Sequence, residues 1–329
     1  SCVGMVVTPE RMIVALGAGG DARYLKWCDQ DDRTIWTAAR TNTAGDYYLP
    51  GQGSLMCGRR LPTETLIMTD TDAFALRYIG GTLIYRLDQV GTNCGVVSRL
   101  ALTTAEGRAF WMGKRSFFMY EGGFARALPC PISDEIFANL NDNQRSKVAA
   151  WANSRFHEVW FAYPGDGGGG ENNKVVCYNY LEDHWSGPWD LKRTSGMDAG
   201  AYSYMWASDD TGHLINHESG ILYLDSDGVT ALTPSAETGP YELGAGDQVM
   251  TVRRYIPDEA TLGDVDVTIY AGLYPHEKRY IHVFLPFSLG LFLAGAALAF
   301  FFVFEPVLNF LFTFNRWLGI DPDRSEEHT

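Results

Sequence analysis

Hydrophobic and polar positions alternate in short runs along the first 270 residues, and a turn rich in Gly or Asp follows each run. The clearest runs are RMIVALGAGG, TLIMTDTDAFALRYIGG, GRAFWMGKRSFFMYEGG, HEVWFAYPGDGGGGENNKVVCYNY and YSYMWASDDTGHLINHESG. Alternation of this kind is typical of half-buried strands, and such turns carry the chain back antiparallel. The pattern, together with 35 glycines and 13% aromatic residues, predicts an all-β fold.

The strand runs recur at a longer, nearly constant interval. Ile13, Leu66, Trp111, Trp160 and Trp206 occupy equivalent points, at intervals of 53, 45, 49 and 46 residues. A period of roughly 40 to 50 residues is expected of β-propeller blades with four strands each, whereas a β-sandwich lacks this longer period. We therefore predict a partial, N-terminally truncated β-propeller over residues 1–240, with closing β-strands over 241–271.

One stretch of this part has helical character. In ISDEIFANLNDNQRSKVAAWAN, Ser133 is placed to act as the N-cap, and Ile136, Phe137 and Leu140 fall on one face. The sequence predicts a short helical insertion between two blades.

A different pattern begins near the C-terminus, where residues 283–304 contain no charged side chain. Such a run is long enough to cross a bilayer core, which needs about 20 apolar residues. It predicts one transmembrane-type α-helix, with Lys278 and Arg279 on its cytoplasmic side. Three origins are open: a membrane anchor, a buried core helix, or two unrelated coding sequences that have been joined, of which we favour the last.

Charge and cysteine content narrow the classes of function. A net charge of -14 and a pI near 4.9 argue against nucleic-acid binding through a general basic surface. The same charge is compatible with a channel through which DNA slides, because like charges repel. The six cysteines form no CxxC pair, so we expect buried free thiols and neither a disulfide framework nor a zinc site. No signal peptide opens the chain, and Ser1 stands where an initiator Met is expected.

Catalytic candidates are few. Carboxylates cluster at three places, and paired carboxylates on propeller loops can hydrolyse glycosidic bonds. The clusters are Asp29, Asp31 and Asp32; Asp70 and Asp72; Asp209 and Asp210. The stretch DQDDRTIW resembles the Asp-box turns of sialidase propellers, yet Asp in a turn usually binds its own backbone. We therefore expect no catalytic residue.

The remaining chemical signals are also interpreted as structural. His213 and His217 lie four apart, as in helical metal sites, but the intervening residues read as strand. The glycine run GDGGGGENN is not followed by the Lys and Ser or Thr of a phosphate-binding loop, so it predicts a loop between two strands. We expect neither a cofactor nor a metal ion.

Residues 5–271 resemble a family of tailed-phage structural proteins that includes tail nozzle (tail tubular protein B) proteins and propeller-bearing tail adaptors. The phrases that carry the resemblance are WCDQDDRTIWTAARTNTAGDYYL, TDAFALRYIGG, FWMGKRSFFMYEGG, LPCPISDEIFANLN, HEVWFAYP, VVCYNYLEDHWSGP, HLINHESG and ELGAGDQVMTVRRYIPD. The resemblance implies a virion component that forms a homo-oligomeric ring with other tail or adaptor proteins, and through which DNA passes without specific binding. The acidic balance agrees, since residues 1–275 hold 22 basic and 34 acidic side chains.

Residues 272–323 resemble a different family. The run GLYPHEKRYIHVFLPFSLGLFLAGAALAFFFVFEPVLNFLFTF is similar to a loop and the third transmembrane helix of TatC, a subunit of the twin-arginine translocase. The resemblance implies that Glu277 contacts the twin arginines of a signal peptide, through a charge-assisted pair. It also implies an inner-membrane type of segment, with the membrane as partner of residues 283–304 only.

The final residues, 324–329, read RSEEHT, which resembles a translated sequencing adapter. We therefore expect an artefactual tail and a chimeric reading frame, with its join around Ala271 to Pro275. Two other functions stay open: a membrane-anchored propeller that binds or cleaves glycans, and a component of the twin-arginine translocase.

Overall fold

The computed structural model describes residues 1–220 and, beyond them, strands at 222–225, 228–231, 269–271 and 279–281. The chain divides into two compact units, Ser1–Thr233 and Pro234–Thr329. Glu277, the predicted membrane segment 283–304, the tail 324–329 and residues 241–268 of the predicted closing strands lie outside the described residues. The described residues therefore belong to the first unit, apart from the strands at 269–271 and 279–281.

The first unit contains successive four-stranded antiparallel sheets, each of which is a meander in chain order. Sheet 1 is β1 (Gly4–Val7), β2 (Ile13–Leu16), β3 (Tyr24–Trp27) and β4 (Gly45–Tyr48); sheet 2 is β5 (Leu55–Arg60), β6 (Thr65–Thr69), β7 (Ala73–Gly80) and β8 (Ile84–Gly91). Sheet 3 is β9 (Leu102–Ala105), β10 (Arg108–Met112), β11 (Phe117–Tyr120) and β12 (Arg126–Leu128); sheet 4 is β13 (Ala149–Asn153), β14 (Glu158–Tyr163), β15 (Lys174–Asn179) and β16 (His184–Asp190).

Shorter sheets follow these four. Sheet 5 has three described strands, β17 (Ser195–Met197), β18 (Trp206–Ser208) and β19 (Leu214–Asn216). The strands β20 (Leu222–Asp225) and β21 (Gly228–Ala231) then form a hairpin. In the second unit, β22 (Ile269–Ala271) pairs with β23 (Arg279–Ile281). The described part of the chain is therefore all-β, as predicted.

The predicted repeat coincides with the sheets. Ile13, Leu66, Trp111, Trp160 and Trp206 lie on β2, β6, β10, β14 and β18, which are the second strands of sheets 1 to 5. The interval between them therefore measures one sheet and its connection to the next.

The first strands of neighbouring sheets lie side by side, in the order β1, β5, β9, β13 and β17. A parallel bridge joins Leu100, just before β9, to Ala149 of β13, and the Ala150 N–H donates to the Leu100 carbonyl at 2.8 Å. The bridge shows that the first strands of sheets 3 and 4 run in the same direction where they meet. The sheets thus follow one another along a row of neighbouring first strands.

The core lies between the sheets. Residues 65–69 of β6 are all buried, as are residues 159–163 of β14, because these strands are covered on both faces. Phe117 of β11 contacts the rings of Phe161 and Trp185 in sheet 4, with ring centroids 5.0 Å and 4.5 Å apart. Aromatic side chains that looked like ordinary strand residues in the sequence therefore join sheet 3 to sheet 4.

The helical insertion is shorter than predicted. Helix α1 covers Ser133–Asn139, a 3-10 segment covers Asp142–Lys147, and the last predicted helical residues form β13. Pairing with β14 buries Trp151, and this tertiary contact outweighs the helix propensity of the alanines around it. The insertion does separate sheets 3 and 4, as predicted.

The predicted cap of this helix is wrong. Ser133 is the first helical residue, Ile132 takes the N-cap position, and no side chain caps that end. The predicted apolar face is correct, because Ile136 is buried and Phe137 and Leu140 pack partly buried against the same core.

Two predicted hairpin turns are confirmed. Residues 113–116 connect β10 to β11, and residues 164–173 connect β14 to β15, as antiparallel pairs in both cases. Among the described residues, no helix is long and apolar enough to span a membrane.

Candidate functional site

The first acidic cluster lies in the long connection from β3 to β4. Asp29 accepts hydrogen bonds from the Thr43 N–H at 2.8 Å and the Thr43 hydroxyl at 2.6 Å. Asp32 accepts from the N–H and hydroxyl of Thr34 at 2.8 Å and 2.6 Å, and Asp31 is exposed. These bonds lower the pKa of Asp29 and of Asp32, so both carboxylates are ionised and engaged in holding their own loop.

The second cluster occupies the turn between β6 and β7. Asp70 accepts from the Ser54 N–H at 2.7 Å, which ties this turn to the connection between sheets 1 and 2. Asp72 accepts from the Thr71 hydroxyl at 2.7 Å and from the Asn93 N–H at 3.3 Å, which ties it to the connection between sheets 2 and 3. Both carboxylates are therefore used to join loops.

The third cluster lies in the turn between β18 and β19. Asp209 is buried, whereas Asp210 is exposed. Burial opposes ionisation of Asp209, but hydrogen bonds from Thr211 and His213 outweigh it and hold the pKa of that carboxyl well below its usual range. Asp209 accordingly closes its own turn, as Asp commonly does.

The two histidines flank β19 and have different partners. His213 Nδ1 lies 2.8 Å from Asp209 Oδ2. His217 accepts a 2.8 Å hydrogen bond at Nε2 from Arg193 Nε and packs edge-on against the Trp160 ring. Burial, and then the charge of Arg193, lower the pKa of His217 to about 4, so it is neutral at pH 7. The structure thus gives each histidine a local structural partner.

The cysteines are free thiols in the structure. Cys28, Cys57, Cys94 and Cys177 are buried as predicted, and Cys130 is half-buried. The prediction is wrong for Cys2, which is exposed because it precedes the first strand and has no sheet to cover it. Burial raises the pKa of Cys94 and of Cys130 to about 11, so these two thiols stay protonated and unreactive at neutral pH.

Sequence reasoning missed a set of contacts between neighbouring sheets. In sheets 1 to 3, the turn after the first strand carries a glutamate: Glu10, Glu64 and Glu106. Each glutamate approaches a tyrosine of the next sheet: Tyr85, Tyr120 and Tyr180, respectively. We call these three pairs the Glu–Tyr contacts.

The Glu–Tyr contact between sheets 2 and 3 is the most deeply buried. Tyr120 donates to Glu64 Oε1 at 2.7 Å, while Arg77 Nε donates to Glu64 Oε2 at 2.7 Å. Arg77 also bonds Asp88 Oδ2 at 2.8 Å and the Tyr120 hydroxyl at 3.1 Å. Burial, followed by the Glu64 carboxylate, raises the pKa of Tyr120 to about 12. Every polar group of this network that faces the core therefore has a partner.

The contacts on either side differ in detail. The Tyr85 hydroxyl lies 2.8 Å from Thr8 Oγ1 and donates to Glu10 Oε2 at 2.9 Å. Between sheets 3 and 4, burial and then the Glu106 carboxylate raise the pKa of Tyr180 to about 12. Arg108 there bonds Glu106 at 3.0 Å and lies over the Tyr180 ring at 4.8 Å, a cation–π distance.

The sequence contains one repeated phrase near these contacts, but only its second tyrosine, Tyr120, takes part in a Glu–Tyr contact. Tyr78-Ile-Gly-Gly and Tyr120-Glu-Gly-Gly end the third strands of sheets 2 and 3, and all four glycines have positive φ. The repeat predicts a recurrent turn, but it does not reveal which glutamate the tyrosine meets, because the partners are distant in the chain.

The described carboxylates are thus engaged mainly in loops and between sheets. In the part of the chain that the structure describes, no three His, Cys, Asp or Glu side chains are grouped as they are around a metal ion. The chemical role of this arrangement is to hold successive sheets in register.

Comparison with known proteins gives one family match, in the C-terminal part. The family model of the Sec-independent protein translocase protein (TatC) matches residues 267–326. The match begins before the predicted join at Ala271 to Pro275, so it includes both β22 and β23. No curated protein sequence matches the chain.

Two solved structures show distant likenesses to the chain. The chain is similar to dihydro-heme d1 dehydrogenase NirN in complex with DHE, with a TM-score of 0.38 and 10% identity over 67% of this chain and 50% of that one. It is also similar to the extracellular domain of the one component system BT4673 from B. thetaiotaomicron, with a TM-score of 0.34 and 12% identity over 70% of this chain and 30% of that one. The chain thus spans half or less of each, and likenesses this weak say nothing about function.

Proposed function

We propose that sheets 1 to 5 are blades of a partial β-propeller, and that this propeller is a structural subunit of a phage tail. The observation that carries the proposal is the row of first strands, β1, β5, β9, β13 and β17, along which the sheets follow one another. In a propeller the first strands of the blades surround the central axis in this way. Several such subunits in a ring form a conduit through which DNA passes.

The state of the carboxylates supports a structural role over a hydrolytic one. Asp29, Asp32, Asp70, Asp72 and Asp209 all accept hydrogen bonds from loop groups. Glycoside hydrolysis needs two carboxyl groups facing one bond, one of them with a raised pKa. The pKa values of Asp29, Asp32 and Asp209 are lowered, so none of these three carboxyl groups is suited to be the acid of such a pair.

Assembly tests the structural proposal directly. Negative-stain electron microscopy of the full chain in mild detergent, at concentrations near those of assembly, is expected to show closed rings with a central hole. A monomer at every concentration, without rings on addition of tail proteins, contradicts the conduit.

The alternative of a glycan-cleaving propeller has its own test. The full chain is expected to release no sugar from oligosaccharide substrates, and Asp31→Asn and Asp70→Asn are expected to change nothing. Turnover by the unmodified chain that disappears in either variant overturns the structural assignment.

We further propose that residues 267–326 are a TatC-derived segment joined to the propeller in a chimeric reading frame. The family match over residues 267–326 supports this origin. In this proposal the join lies at or before residue 267. In this proposal residues 283–304 insert in a membrane, Glu277 is the residue that meets twin arginines in TatC, and residues 324–329 derive from an adapter. The virion is the location of the propeller, and an inner membrane is the location native to the TatC-like segment.

Source DNA tests the join. Long sequencing reads across the codons for residues 230–280 are expected to recover the propeller or the TatC-like segment, but not both in one molecule. One continuous read through both contradicts the chimera and favours a natural membrane-bound protein.

A further inference from the structure

A groove runs between the first strands of sheets 1 and 2. Its volume is about 160 Å³, and it is lined by residues of β1, β2 and β5, by Val3, and by Arg99 of the connection from β8 to β9. The lining residues are Val3, Gly4, Met5, Leu16, Met56, Cys57, Gly58, Arg59 and Arg99. The only charged side chains in this lining are two arginines, in a chain whose net charge is -14.

The two guanidinium groups are held in place by the backbone. Arg59 Nη1 donates to the Gly58 carbonyl at 3.2 Å, and Arg99 Nη1 donates to the Val3 carbonyl at 3.4 Å. Among the described residues neither arginine has a carboxylate partner, in contrast to Arg77, Arg86 and Arg108, which are all ion-paired. A guanidinium has five N–H donors, so most donors of both groups remain available to a ligand.

The charges of Arg59 and Arg99 also affect the buried Cys57 thiol beside the groove. Burial raises the pKa of Cys57 to about 12, and Arg59 and Arg99 act in the opposite direction. Because Cys57, Arg59 and Arg99 line the same groove, the two guanidinium charges act together there and create a positive potential. A positive potential between low-dielectric walls attracts an anion more strongly than the same charges in open solvent.

We propose that this groove binds a phosphate group between Arg59 and Arg99. Arginine suits this ligand because its planar fork of N–H donors matches the oxygens of phosphate. The phosphate is either the free ion or a phosphodiester of the DNA backbone, and the DNA case rests on the conduit proposed above. In that case the first strands offer passing DNA a local contact, although the protein as a whole repels it.

Binding of two probes to the full chain in mild detergent tests the site. Inorganic phosphate is titrated by calorimetry, and a short labelled DNA duplex is titrated by fluorescence anisotropy at several salt concentrations. Three variants are compared with the unmodified chain: Arg99→Gln, the double variant Arg59→Gln with Arg99→Gln, and Arg23→Gln as the control. Arg23 is matched because its Nη1 also donates to a backbone carbonyl, that of Gly51 at 2.9 Å, and it lies outside the groove.

We expect the double variant to have an affinity for phosphate that is lower by about tenfold or more. Arg99→Gln should lower the affinity by less, and Arg23→Gln should leave it unchanged. If DNA supplies the phosphate, the negative slope of log K against log salt becomes shallower by about 2 in the double variant, because two charges no longer neutralise phosphates. Binding of the free ion alone supports the site and excludes the DNA source. Arg99 is exposed, so Arg99→Gln should fold normally. If the double variant unfolds, this single variant still tests the site.

The proposal is overturned if the unmodified chain binds neither probe, or if Arg23→Gln weakens binding as much as Arg99→Gln does. Ring formation in the electron microscope is measured separately on the same samples. A chain that binds phosphate without forming rings therefore refutes the conduit and leaves the groove assigned. A chain that forms rings but binds no phosphate refutes the groove proposal and leaves the conduit proposal in place.

Discussion

At the residue scale, the Glu–Tyr contacts show how a buried carboxylate is accommodated between sheets. Glu64 is only 7% exposed, and it is stabilised there by Arg77 and by the Tyr120 hydroxyl. A buried charge that keeps its partners is tolerated, whereas one that loses a partner is strongly destabilising. These residues therefore make the junction between sheets 2 and 3 specific.

The first prediction is that this junction behaves as one coupled unit. We expect Glu64→Ala to lower the free energy of unfolding by about 3 kcal/mol, because it leaves Arg77 without its buried partner. Tyr120→Phe is expected to cost about 1 kcal/mol. Chemical denaturation of the double variant, in a mutant cycle, should give a coupling energy of about 1 kcal/mol or more. Strict additivity of the two losses speaks against a direct bond.

The second prediction concerns the pH dependence that His217 produces. Its pKa in the folded chain is about 4, below the ordinary value of 6.5, so the unfolded chain takes up the proton first as the pH falls. Stability should therefore decline between pH 6.5 and pH 4, by up to about 3 kcal/mol from this group, and this loss is absent above pH 6.5.

Unfolding curves at several pH values test the effect of His217→Gln, which removes the proton-binding site. The difference between the unmodified chain and the variant is the quantity to measure, since carboxylates also titrate in acid. His184→Gln, at a half-exposed histidine, serves as control and should retain the full slope. An unchanged slope in His217→Gln rules out this assignment.

At the element scale, the connections between sheets are packed as closely as the strands. In the connection from β8 to β9, Gly95 donates its N–H to the Thr71 carbonyl at 2.9 Å. A Cβ atom at Gly95 would lie 2.1 Å from the Asp70 carbonyl carbon and 2.2 Å from the Thr71 nitrogen. Glycine is therefore required for the connection to pass the β6–β7 turn.

The third prediction follows from this close approach. Gly95→Ala is expected to destabilise the chain by about 3 kcal/mol, since the clash involves backbone that cannot rotate away. Gly4→Ala is the matched control, because a Cβ atom there has no neighbour within 4 Å. Thermal unfolding of both variants should lower the midpoint for Gly95→Ala only. Equal midpoints would show that the β6–β7 turn moves freely.

Sequence reasoning succeeded where the signal is local and periodic. The points Leu66, Trp111 and Trp160 marked second strands correctly, because alternation and turn composition depend on nearby residues. Sequence reasoning failed where the local structure depends on a contact with residues distant in the chain. Trp151 lies in a helix-like segment that pairs with β14, and Glu64 meets Tyr120 of another sheet, 56 residues away. A single sequence carries no record of such partners.

At the scale of the whole molecule, the chain combines two units with different patterns of sequence. The unit Ser1–Thr233 contains the repeated sheets, whereas the TatC match at residues 267–326 lies entirely in the unit Pro234–Thr329. Stacked sheets gain stability from contacts between neighbours, and the Glu–Tyr contacts and the buried core of the described residues lie within the first unit. The first unit should therefore not depend on the TatC-like residues for its fold.

The fourth prediction is that a chain ending at Thr233 unfolds cooperatively. Its unfolding midpoint should lie close to the temperature at which the sheets of the full chain unfold. That unit is compact and contains sheets 1 to 5, so we expect it to fold without residues 234–329. Circular dichroism at the β-sheet wavelength follows the transition in both chains, with mild detergent in both samples. A chain shortened to Asn153 is the contrasting control, since it lacks β14 to β16 and should not unfold cooperatively. If instead the chain ending at Thr233 fails to fold while the full chain folds, residues beyond 233 stabilise sheets 1 to 5. That outcome favours one natural protein over the proposed chimera.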